Sequence, residues 1–420
     1  MQSKQSICLL NDSFPPIIDG VSNTILNYAR NIEKSGSHAI VVTPSHPNAE
    51  DSKYSFPVIR YPSVNFSKMD DYMAGIPFSP NVAKIVSEQK IDILHSHCPV
   101  MSTLLARELR SIARVPLVFT YHTKFDLDIE NLFENQHMKN ACKKALVGNI
   151  SSCDEVWTVS KGAGENLRSM GYTGEYIIMP NGVDLPQERV SESLISSVTA
   201  SCNLPNDIPI YLFVGRMMWY KGIRIICDAL AKLKANGQDF RMIFVGEGDD
   251  RKEIMDYATK LGIYHKCLFV GAVYDRDKLR AWYCKADLFL FPSTYDTNGL
   301  VVREASACEL SAVLIKGSCA AEGVSDGING LLIEENAESL ANCLIKLGTN
   351  KDKMHELGRN ASRDLYISWE ASVNSAMERY EIVIERYQNG YYPRRCHPTD
   401  GMAKINGQLM SCLAKLSRKK

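Results

Sequence analysis

Short apolar segments alternate with segments of helical period along most of this 420-residue chain, and the alternation stops once and then starts again. This order is typical of parallel sheets covered by helices, so the predicted fold class is α/β, with two doubly wound domains in series. The predicted strands are 7–10, 39–43, 58–61, 91–95, 117–120, 155–158, 176–179, 210–214, 242–245, 268–270, 288–291, 312–315 and 331–333. The predicted helices between them are 21–35, 82–89, 101–113, 161–170, 223–235, 250–261, 277–285, 301–308 and 337–346.

The break in the pattern falls within residues 181–207, which are rich in Asn, Pro, Ser and Asp. The predicted domains are an N-terminal domain (1–184), a linker (185–207), a second domain (208–366), a helical segment crossing back to the first domain (367–390) and a tail (391–420). The crossing helix, at 369–388, would be roughly 30 Å long. Open sheets bind ligands beyond the carboxyl ends of their strands, so we expect the active site in the cleft between the two domains.

The charge is balanced over the whole chain but not along it. The 48 Lys and Arg residues equal the 48 Asp and Glu residues, which argues against a general nucleic-acid binder. From position 394 onward, however, seven basic residues face one acid, a net charge of +6. The same tail carries apolar residues at helical spacing, namely Met402, Ile405, Leu409, Leu413 and Leu416. This pattern predicts a basic amphipathic helix that binds an anionic membrane surface, docks on its own domain or frays.

The sequence also indicates a compartment. No apolar run approaches the roughly 20 residues that span a bilayer, and the apolar run at 7–10 is too short for a signal-peptide core. Thirteen cysteines without a CxxC pair suggest buried, reduced thiols. We expect a cytoplasmic protein, peripheral on the inner face of the cell membrane if the tail binds lipid.

The most informative loop follows the predicted strand 288–291. Asn298 and Gly299 stand where this loop enters a helix at Leu300 and Val301, and free backbone N–H groups there can hold a phosphate. Asp296 and Glu304 could bracket a polyol by hydrogen bonds. Asp296 could equally be a helix cap, and Glu304 a buried structural carboxylate.

Other candidate residues also follow predicted strands. Arg216 and Lys221 come after strand 210–214 and could neutralise a diphosphate without a bound metal. A solvated surface loop is the better explanation of the pair alone, but its position at the same sheet edge as the loop after strand 288–291 favours the diphosphate. Gly20 at a helix entry permits close approach of a ligand. His122, after strand 117–120, could hydrogen-bond a substrate or be a packed structural residue.

Two further motifs bear on whether the chain is a metalloprotein or a dehydrogenase. His95, His97 and Cys98 lie close in sequence, but no further cluster of metal ligands accompanies them, so no metal is expected. The segment Gly-Glu-Gly at 246–248 lacks the third glycine of a dinucleotide fingerprint, which makes a nicotinamide dehydrogenase a poor match.

Together these motifs resemble the family 4 retaining glycosyltransferases of GT-B fold, from about Ile7 to Trp369. The motifs are Pro-Pro-x-x-x-Gly-Val at 15–21, Tyr-His-Thr at 121–123, Pro-Asn-Gly-Val-Asp at 180–184, Gly-Arg with a downstream Lys-Gly at 215–222, and the acidic pair around Asn-Gly-Leu-Val-Val. The N-terminal motifs look most like the branch that includes diacylglycerol 3-glucosyltransferases.

The resemblance implies a nucleotide-sugar donor, which we expect to be UDP-glucose, and no obligatory metal or other cofactor. It implies that Arg216 and Lys221 bind the diphosphate and that Glu304 binds the ribose. The sugar and phosphate contacts would come from Asp296 and the amides of Asn298, Gly299, Leu300 and Val301. Gly20, His122 and Asn181 would bind near the transferred sugar, and Gly271 and Val273 near the base.

Two positions depart from the family pattern. Asp296 stands where the family usually has Glu, which leaves the donor sugar open. Glu309-Leu310-Ser311 replaces the common Gly-x-Pro, and a non-glycine in a left-handed helix cap costs on the order of 1 kcal/mol. We expect a local adjustment of the backbone there without loss of activity.

The resulting hypothesis is a hexosyltransferase that acts with retention of anomeric configuration on an acceptor hydroxyl. A membrane lipid such as diacylglycerol is favoured as the acceptor over a growing surface polysaccharide. A non-catalytic GT-B partner subunit is the alternative from another class, and a dehydrogenase comes third.

Overall fold

A computed structural model describes residues 4–65, 73–202, 204–392 and 400–416 of the chain. Within it the chain forms two compact units, residues 1–181 with 369–420 and residues 182–368. The segment predicted as a linker, 185–207, contains a helix and packs into the second unit, so the linker prediction is wrong. Its Leu185 and Ile195 are buried in the core of that unit.

The first unit is built on a seven-stranded parallel sheet in the order β3-β2-β1-β6-β7-β8-β9. Its strands are β1 (Ser6–Leu10), β2 (His38–Pro44), β3 (Val58–Tyr61), β6 (Ile93–Ser96), β7 (Leu117–Tyr121), β8 (Glu155–Thr158) and β9 (Ile177–Ile178), with a separate antiparallel pair β4 (Ser63–Asn65) and β5 (Met73–Gly75). Its helices are α1 (Gly20–Lys34), α2 (Pro80–Glu88), α3 (Met101–Ala113), α4 (Phe125–Leu132), α5 (Gln136–Ser151) and α6 (Lys161–Ser169), joined at the end of the chain by α14 (Trp369–Gln388) and α15 (Asp400–Leu416).

The second unit has a six-stranded parallel sheet in the order β12-β11-β10-β13-β14-β15. The strands are β10 (Ile210–Val214), β11 (Arg241–Val245), β12 (Cys267–Gly271), β13 (Leu288–Phe291), β14 (Ala312–Ile315) and β15 (Leu331–Ile333). The helices are α7 (Glu192–Thr199), α8 (Ile223–Ala235), α9 (Arg251–Lys260), α10 (Arg276–Lys285), α11 (Leu300–Ala307), α12 (Ala337–Leu347) and α13 (Lys351–Leu365).

Each sheet is covered by helices on both faces, as the apolar patterning predicts. In the first unit, alternate residues of β1 face opposite cores: Ile7 and Leu9 pack with α1 and α14, whereas Cys8 and Leu10 pack on the other face. A strand that is buried on both faces has no polar side to show, which explains its unbroken apolar run.

The long helix α14 begins and ends at the predicted residues and packs within the first unit. Its Tyr380 is fully buried and stacks on Trp157 of β8 with ring centroids 5.2 Å apart. Its Arg379 forms an ion pair with Glu155 at the start of β8, with Nη2 2.6 Å from Oε2. Apolar and ionic contacts together fix this helix across the sheet.

The predicted tail helix is present as α15 and packs against α2 and α3 of the first unit. Of the tail's basic residues, Arg394, Arg395 and 418–420 lie outside the described residues. Within the described ranges, no helix combines the length and the apolar character needed to cross a membrane.

Candidate active site

Two loops meet at the carboxyl edge of the second sheet because a glycine allows it. The loop 215–222 follows β10, the loop 292–299 follows β13, and these two strands are neighbours. Gly222 has a φ of +77°, and a Cβ atom there would lie 1.9 Å from the carbonyl oxygen of Pro292. Only a residue without a side chain permits both the left-handed backbone and this close approach.

The close approach brings Lys221 and Asp296 together. Lys221 is 7% exposed, and its Nζ lies 2.7 Å from Oδ1 of Asp296. The other carboxylate oxygen accepts a hydrogen bond of 2.6 Å from the hydroxyl of Ser293. Asp296 is therefore held on both oxygens and does not cap a helix. Two residues that the sequence assigned to different parts of a ligand form one ion pair in this structure.

Aromatic rings surround the cations of this edge. The rings of Tyr220 and Tyr295 lie 4.6 Å apart, and the Nζ of Lys221 is 5.6 Å and 5.4 Å from their centroids. The guanidinium of Arg216 lies 6.0 Å from the Tyr220 centroid, and the Arg216 residue is exposed. Arg216 can therefore reach an anion from solvent, whereas Lys221 would bind one from a nearly buried position.

The Gly-Glu-Gly segment after β11 supports the loop that carries Arg216. A Cβ at Gly246 would lie 1.9 Å from the carbonyl oxygen of Gly215, and one at Gly248 would lie 2.6 Å from that of Met217. The amide of Met217 also donates to the carbonyl of Glu247 at 2.9 Å. This packing accounts for both glycines without a dinucleotide.

The residues predicted to bind a phosphate lie at the start of α11. Gly299 is the N-cap with a φ of +58°, and its carbonyl accepts from the Val302 amide at 2.8 Å. The first amides of a helix have no partner within the helix, so those of Leu300 and Val301 can serve an anion. Asn298 is 8% exposed, and both polar atoms of its side chain are buried without a hydrogen bond to the described residues.

Glu304 lies in α11, where its two carboxylate oxygens are occupied. Oε1 is 2.9 Å from Nη2 of Arg276, and Oε2 accepts from the Tyr283 hydroxyl at 3.0 Å. Burial would lower the pKa of Arg276, but the charge of Glu304 and its hydrogen bond outweigh this and raise it. Burial, with Glu304 adding to it, raises the pKa of Tyr283 well above its usual value. Glu304 is thus a satisfied carboxylate here, and its predicted contact to a ribose stays a prediction.

The sequence did not identify Arg276 and Tyr283 as site residues. Both lie on α10, seven residues apart and hence on one face of the helix. That spacing is a signal for a shared partner, but nothing in the sequence identifies the partner as Glu304.

The two residues predicted near a base lie at the end of β12. Gly271 has a φ of +86°, and a Cβ there would lie 2.9 Å from a carboxylate oxygen of Glu247. Val273 is half-buried and packs against the core of the second unit. Contact of either residue with a base stays a prediction.

In the first unit, Gly20 begins α1, and Asn181 contacts the same helix. Asp19 caps this helix by accepting from the amides of Val21 and Ser22 at 2.8 Å and 2.7 Å. Gly20 is the first helical residue, with open space where a side chain would be. Asn181 is 5% exposed and donates to the Thr24 hydroxyl at 3.4 Å, while its Oδ1 has no hydrogen bond to the described residues.

His122 follows β7 and belongs to a buried cluster of three imidazoles. Its Nε2 lies 2.9 Å from Nδ1 of His97, and His95 contacts the Thr120 hydroxyl at 2.7 Å. Burial lowers the pKa of His122 to about 3, and burial together with the other rings lowers the pKa of His97 well below its usual value. His97 Nε2 has no partner among the described residues, and a bare lone pair there costs less than a buried N–H. We therefore assign the proton of His97 to Nδ1, from which it donates to His122.

The motif at 95–98 does not form a metal site within the described parts of the chain. No group of three or more His, Cys, Asp or Glu side chains there could hold a metal ion. Burial, followed by the charge of Asp12, raises the pKa of the Cys98 thiol well above its usual value, so this thiol stays protonated. The histidines of the motif serve packing and hydrogen bonding instead.

Two sequence profiles of known protein families match successive parts of the chain. Glycosyltransferase Family 4 matches residues 18–187, and Glycosyl transferases group 1 matches residues 199–364. The chain belongs to the family 4 glycosyltransferases of GT-B fold. The family that the motifs predict is thereby confirmed, and with it a glycosyltransferase activity.

This glycosyltransferase is similar to one protein that is named for a glycolipid product and to another that is named for a GDP-mannose donor. It is 24% identical over 366 residues to the alpha-monoglucosyldiacylglycerol synthase of Acholeplasma laidlawii, covering 84% of this chain and 91% of that protein. It is 23% identical over 349 residues to a GDP-mannose-dependent alpha-mannosyltransferase of Corynebacterium glutamicum, covering 78% of this chain and 76% of that one.

The solved structures agree on the fold. The crystal structure of HepE from Anabaena in complex with UDP and glucose has a TM-score of 0.69 and 20% identity, and the match covers 90% of this chain and 100% of that one. The predicted α/β class with two Rossmann-like domains is confirmed by this likeness and by the two parallel sheets.

One departure from the family pattern has a simple structural outcome. Glu309 itself adopts the left-handed conformation, with a φ of +58°. Its amide donates to Ser306 and that of Leu310 donates to Ala305, both at 3.0 Å, which ends α11 as a glycine would. The expected adjustment away from this conformation does not occur.

Proposed function

We propose that this glycosyltransferase moves a hexose from a UDP-sugar to the hydroxyl group of a membrane lipid such as diacylglycerol, with retention of anomeric configuration. The observation that carries the proposal is the arrangement of Lys221, Asp296 and Asn298 beside the first turn of α11. A cation, a carboxylate, an amide and free backbone N–H groups are the donors and acceptors that a sugar diphosphate needs.

The diphosphate would be bound by Arg216, Lys221 and the amides of Leu300 and Val301. Lys221 is neutralised by Asp296 in this structure, so an incoming diphosphate would compete for the cation and release the carboxylate. A released carboxylate can accept hydrogen bonds from sugar hydroxyls. The two cations and the helix dipole would stabilise the charge of the leaving phosphate, so no metal ion is required.

In the second unit, the transferred sugar would be bound by Asp296. In the first unit, the predicted substrate-contact residues are Gly20, Asn181 and His122. With a pKa of about 3, His122 is neutral at pH 7 and acts as a hydrogen-bonding group. Because His97 donates to its Nε2, the proton of His122 is on Nδ1. Catalysis would come from positioning the acceptor hydroxyl on the face that the diphosphate leaves.

The choice of donor and acceptor rests on the relatives. The Acholeplasma protein is named as a synthase of a glucosylated diacylglycerol, which supports a lipid acceptor and glucose as the sugar. The Corynebacterium protein is named for GDP-mannose, so the donor panel must contain both nucleotides. A saccharide acceptor of surface polysaccharide assembly is the alternative that an acceptor panel distinguishes.

The occupied side chains motivate a second candidate function, a non-catalytic partner subunit of GT-B fold. Lys221 pairs with Asp296, and Glu304 pairs with Arg276 and Tyr283, so these charged side chains are satisfied without a ligand. Calorimetry with UDP separates the two functions. A folded protein that does not bind UDP would favour the partner role.

The test of the proposed function is the release of UDP or GDP from a panel of nucleotide sugars by the wild type, Lys221→Ala and Glu304→Ala. We expect each substitution to lower turnover about 10²-fold to 10³-fold. Lys232→Ala is the matched control, because this exposed lysine pairs with Glu338 on the surface of the same unit. Unchanged turnover in both site variants would refute the site assignment.

A further inference from the structure

The C-terminal helix α15 packs on the first unit through Asn406, Gly407 and Met410. A Cβ at Gly407 would lie 2.7 Å from the carbonyl oxygen of Glu108, so the helix backbone sits directly on α3. Asn406 donates to the Glu108 carboxylate at 2.9 Å. Met410 is fully buried, and its sulfur accepts from the Ser79 amide at 3.0 Å.

Four large apolar residues of α15 lie on a different face, which is exposed. The exposed fractions are 67% for Met402, 64% for Ile405, 50% for Leu409 and 39% for Leu413. Steps of three, four and four residues put these four side chains on one stripe. A surface helix normally turns its apolar stripe toward the core, so an outward stripe indicates that something apolar covers it.

Charge identifies what covers the stripe. Lys404 and Lys415 are exposed on α15, and the tail from position 394 has seven basic residues against one acid. An apolar stripe beside a basic face is the pattern of helices that lie in the interface of an anionic bilayer. A second copy of this chain would bring the same positive charge to the contact and be repelled.

The direction of α15 shows where its two ends lie relative to the sheet of the first unit. Gly407 contacts the second half of α3, and Met410 contacts Ser79, the N-cap of α2. Because α2 leads directly into the amino end of β6, its own start lies at the carboxyl edge of the sheet. The carboxyl end of α15, which carries Lys415, therefore points toward the edge at which His122 follows β7.

We infer that α15 is an interfacial helix that holds the enzyme on an anionic phospholipid surface through Met402, Ile405, Leu409 and Leu413, with Lys404 and Lys415 binding lipid headgroups. This deepens the proposed function, because a lipid acceptor would be taken from that surface. Vesicle binding is measured without a nucleotide sugar, so its failure and that of glycosyl transfer can be told apart.

The experiment is co-sedimentation of the full chain with vesicles of equal parts phosphatidylglycerol and phosphatidylcholine, or of phosphatidylcholine alone. We expect the wild type to bind the anionic vesicles, and the Ile405→Asp, Leu409→Asp double variant to bind them at least about tenfold more weakly. The matched control is Gln408→Asp with Lys404→Asn, two exposed positions of the same helix, which lowers the charge equally without removing an apolar side chain.

The control should lose less binding than the double variant, and raised salt should weaken the binding of the wild type. The substituted residues are exposed, so all variants should keep the melting temperature of the wild type. If the double variant fails to fold, Lys404→Gln with Lys415→Gln tests the charged half.

Three outcomes would overturn the inference. They are equal binding of the double variant and the wild type, equal binding of the wild type to neutral and anionic vesicles, and a wild-type dimer that the double variant converts to a monomer without a change in vesicle binding. The last outcome would assign the stripe to a second copy.

Discussion

The substitution Gly222→Ala tests whether the contact between the two loops of the second unit is required for activity. Its Cβ would lie 1.9 Å from the Pro292 carbonyl oxygen, and side-chain carbons are not found closer than 3.0 Å to such an atom. The loops must therefore separate by at least about 1.1 Å, which moves Lys221 away from Asp296. A displacement of about 1 Å in an active site costs about 10²-fold in rate, so we expect that loss in kcat/KM for the nucleotide sugar.

Gly237→Ala separates the steric effect from the backbone effect. Gly222 directly precedes helix α8, and Gly237 lies just after it. Gly237 has a φ of +78°, but no atom lies within 4 Å of its added Cβ. Both alanines incur the left-handed penalty of roughly 1–2 kcal/mol in the free energy of unfolding. Urea unfolding and nucleotide-sugar turnover should be measured for both. Turnover of Gly222→Ala within threefold of that of Gly237→Ala would refute the reasoning.

Three further predictions concern stability. Burial lowers the pKa of His122 from 6.5 to about 3, so the unfolded state binds the proton first as the pH falls. The free energy of unfolding should therefore fall by up to ~1.4 kcal/mol per pH unit below about pH 6.5. His122→Gln should reduce that slope in urea titrations at pH 7, 6 and 5, and an identical slope would contradict the assignment to His122. Glu309→Gly should raise the free energy of unfolding by about 0.5 kcal/mol, because glycine removes roughly 1–2 kcal/mol of left-handed strain and loses ~0.5–1 kcal/mol of chain entropy; a loss of stability would speak against strain at this cap. Met410→Ala should lower stability by about 2–3 kcal/mol and expose α15 to protease, whereas Leu409→Ala, on the exposed stripe of the same helix, should change stability by less than about 0.5 kcal/mol.

The central strands of the second sheet could be predicted from sequence. β10, β13 and β14 begin and end at the predicted residues, because each is an apolar run that is buried at every residue and bounded by polar or turn residues. Helix α14 was equally clear, since its apolar residues repeat with the helical period over 20 residues.

Two helices outside the predicted set, α5 and α7, have weak patterns. Helix α7 has the sequence Glu-Ser-Leu-Ile-Ser-Ser-Val-Thr, whose serines are typical of a loop, and its tertiary contacts through Ile195 determine its structure. Helix α5 is mostly exposed, with Leu146, Gly148 and Ile150 as its buried residues, so no apolar face marks it along its length.

In the candidate site, too, some features could be predicted from the sequence and others could not. The carboxyl ends of strands are a topological property, so the positions of Arg216, Lys221 and Asp296 at one sheet edge could be predicted. Their partners could not, because Lys221 and Asp296 are 75 residues apart in sequence, and Glu304 is 28 residues from Arg276. Such pairs depend on how loops pack, which a single sequence does not encode in any local pattern.

The release of UDP from UDP-glucose in the presence of vesicles containing diacylglycerol tests the central claim most directly. The wild type should release UDP in step with the appearance of a glucosylated lipid, and Lys221→Ala should do so about 10²-fold to 10³-fold more slowly. A folded wild-type protein that releases no more UDP than Lys221→Ala would contradict the account.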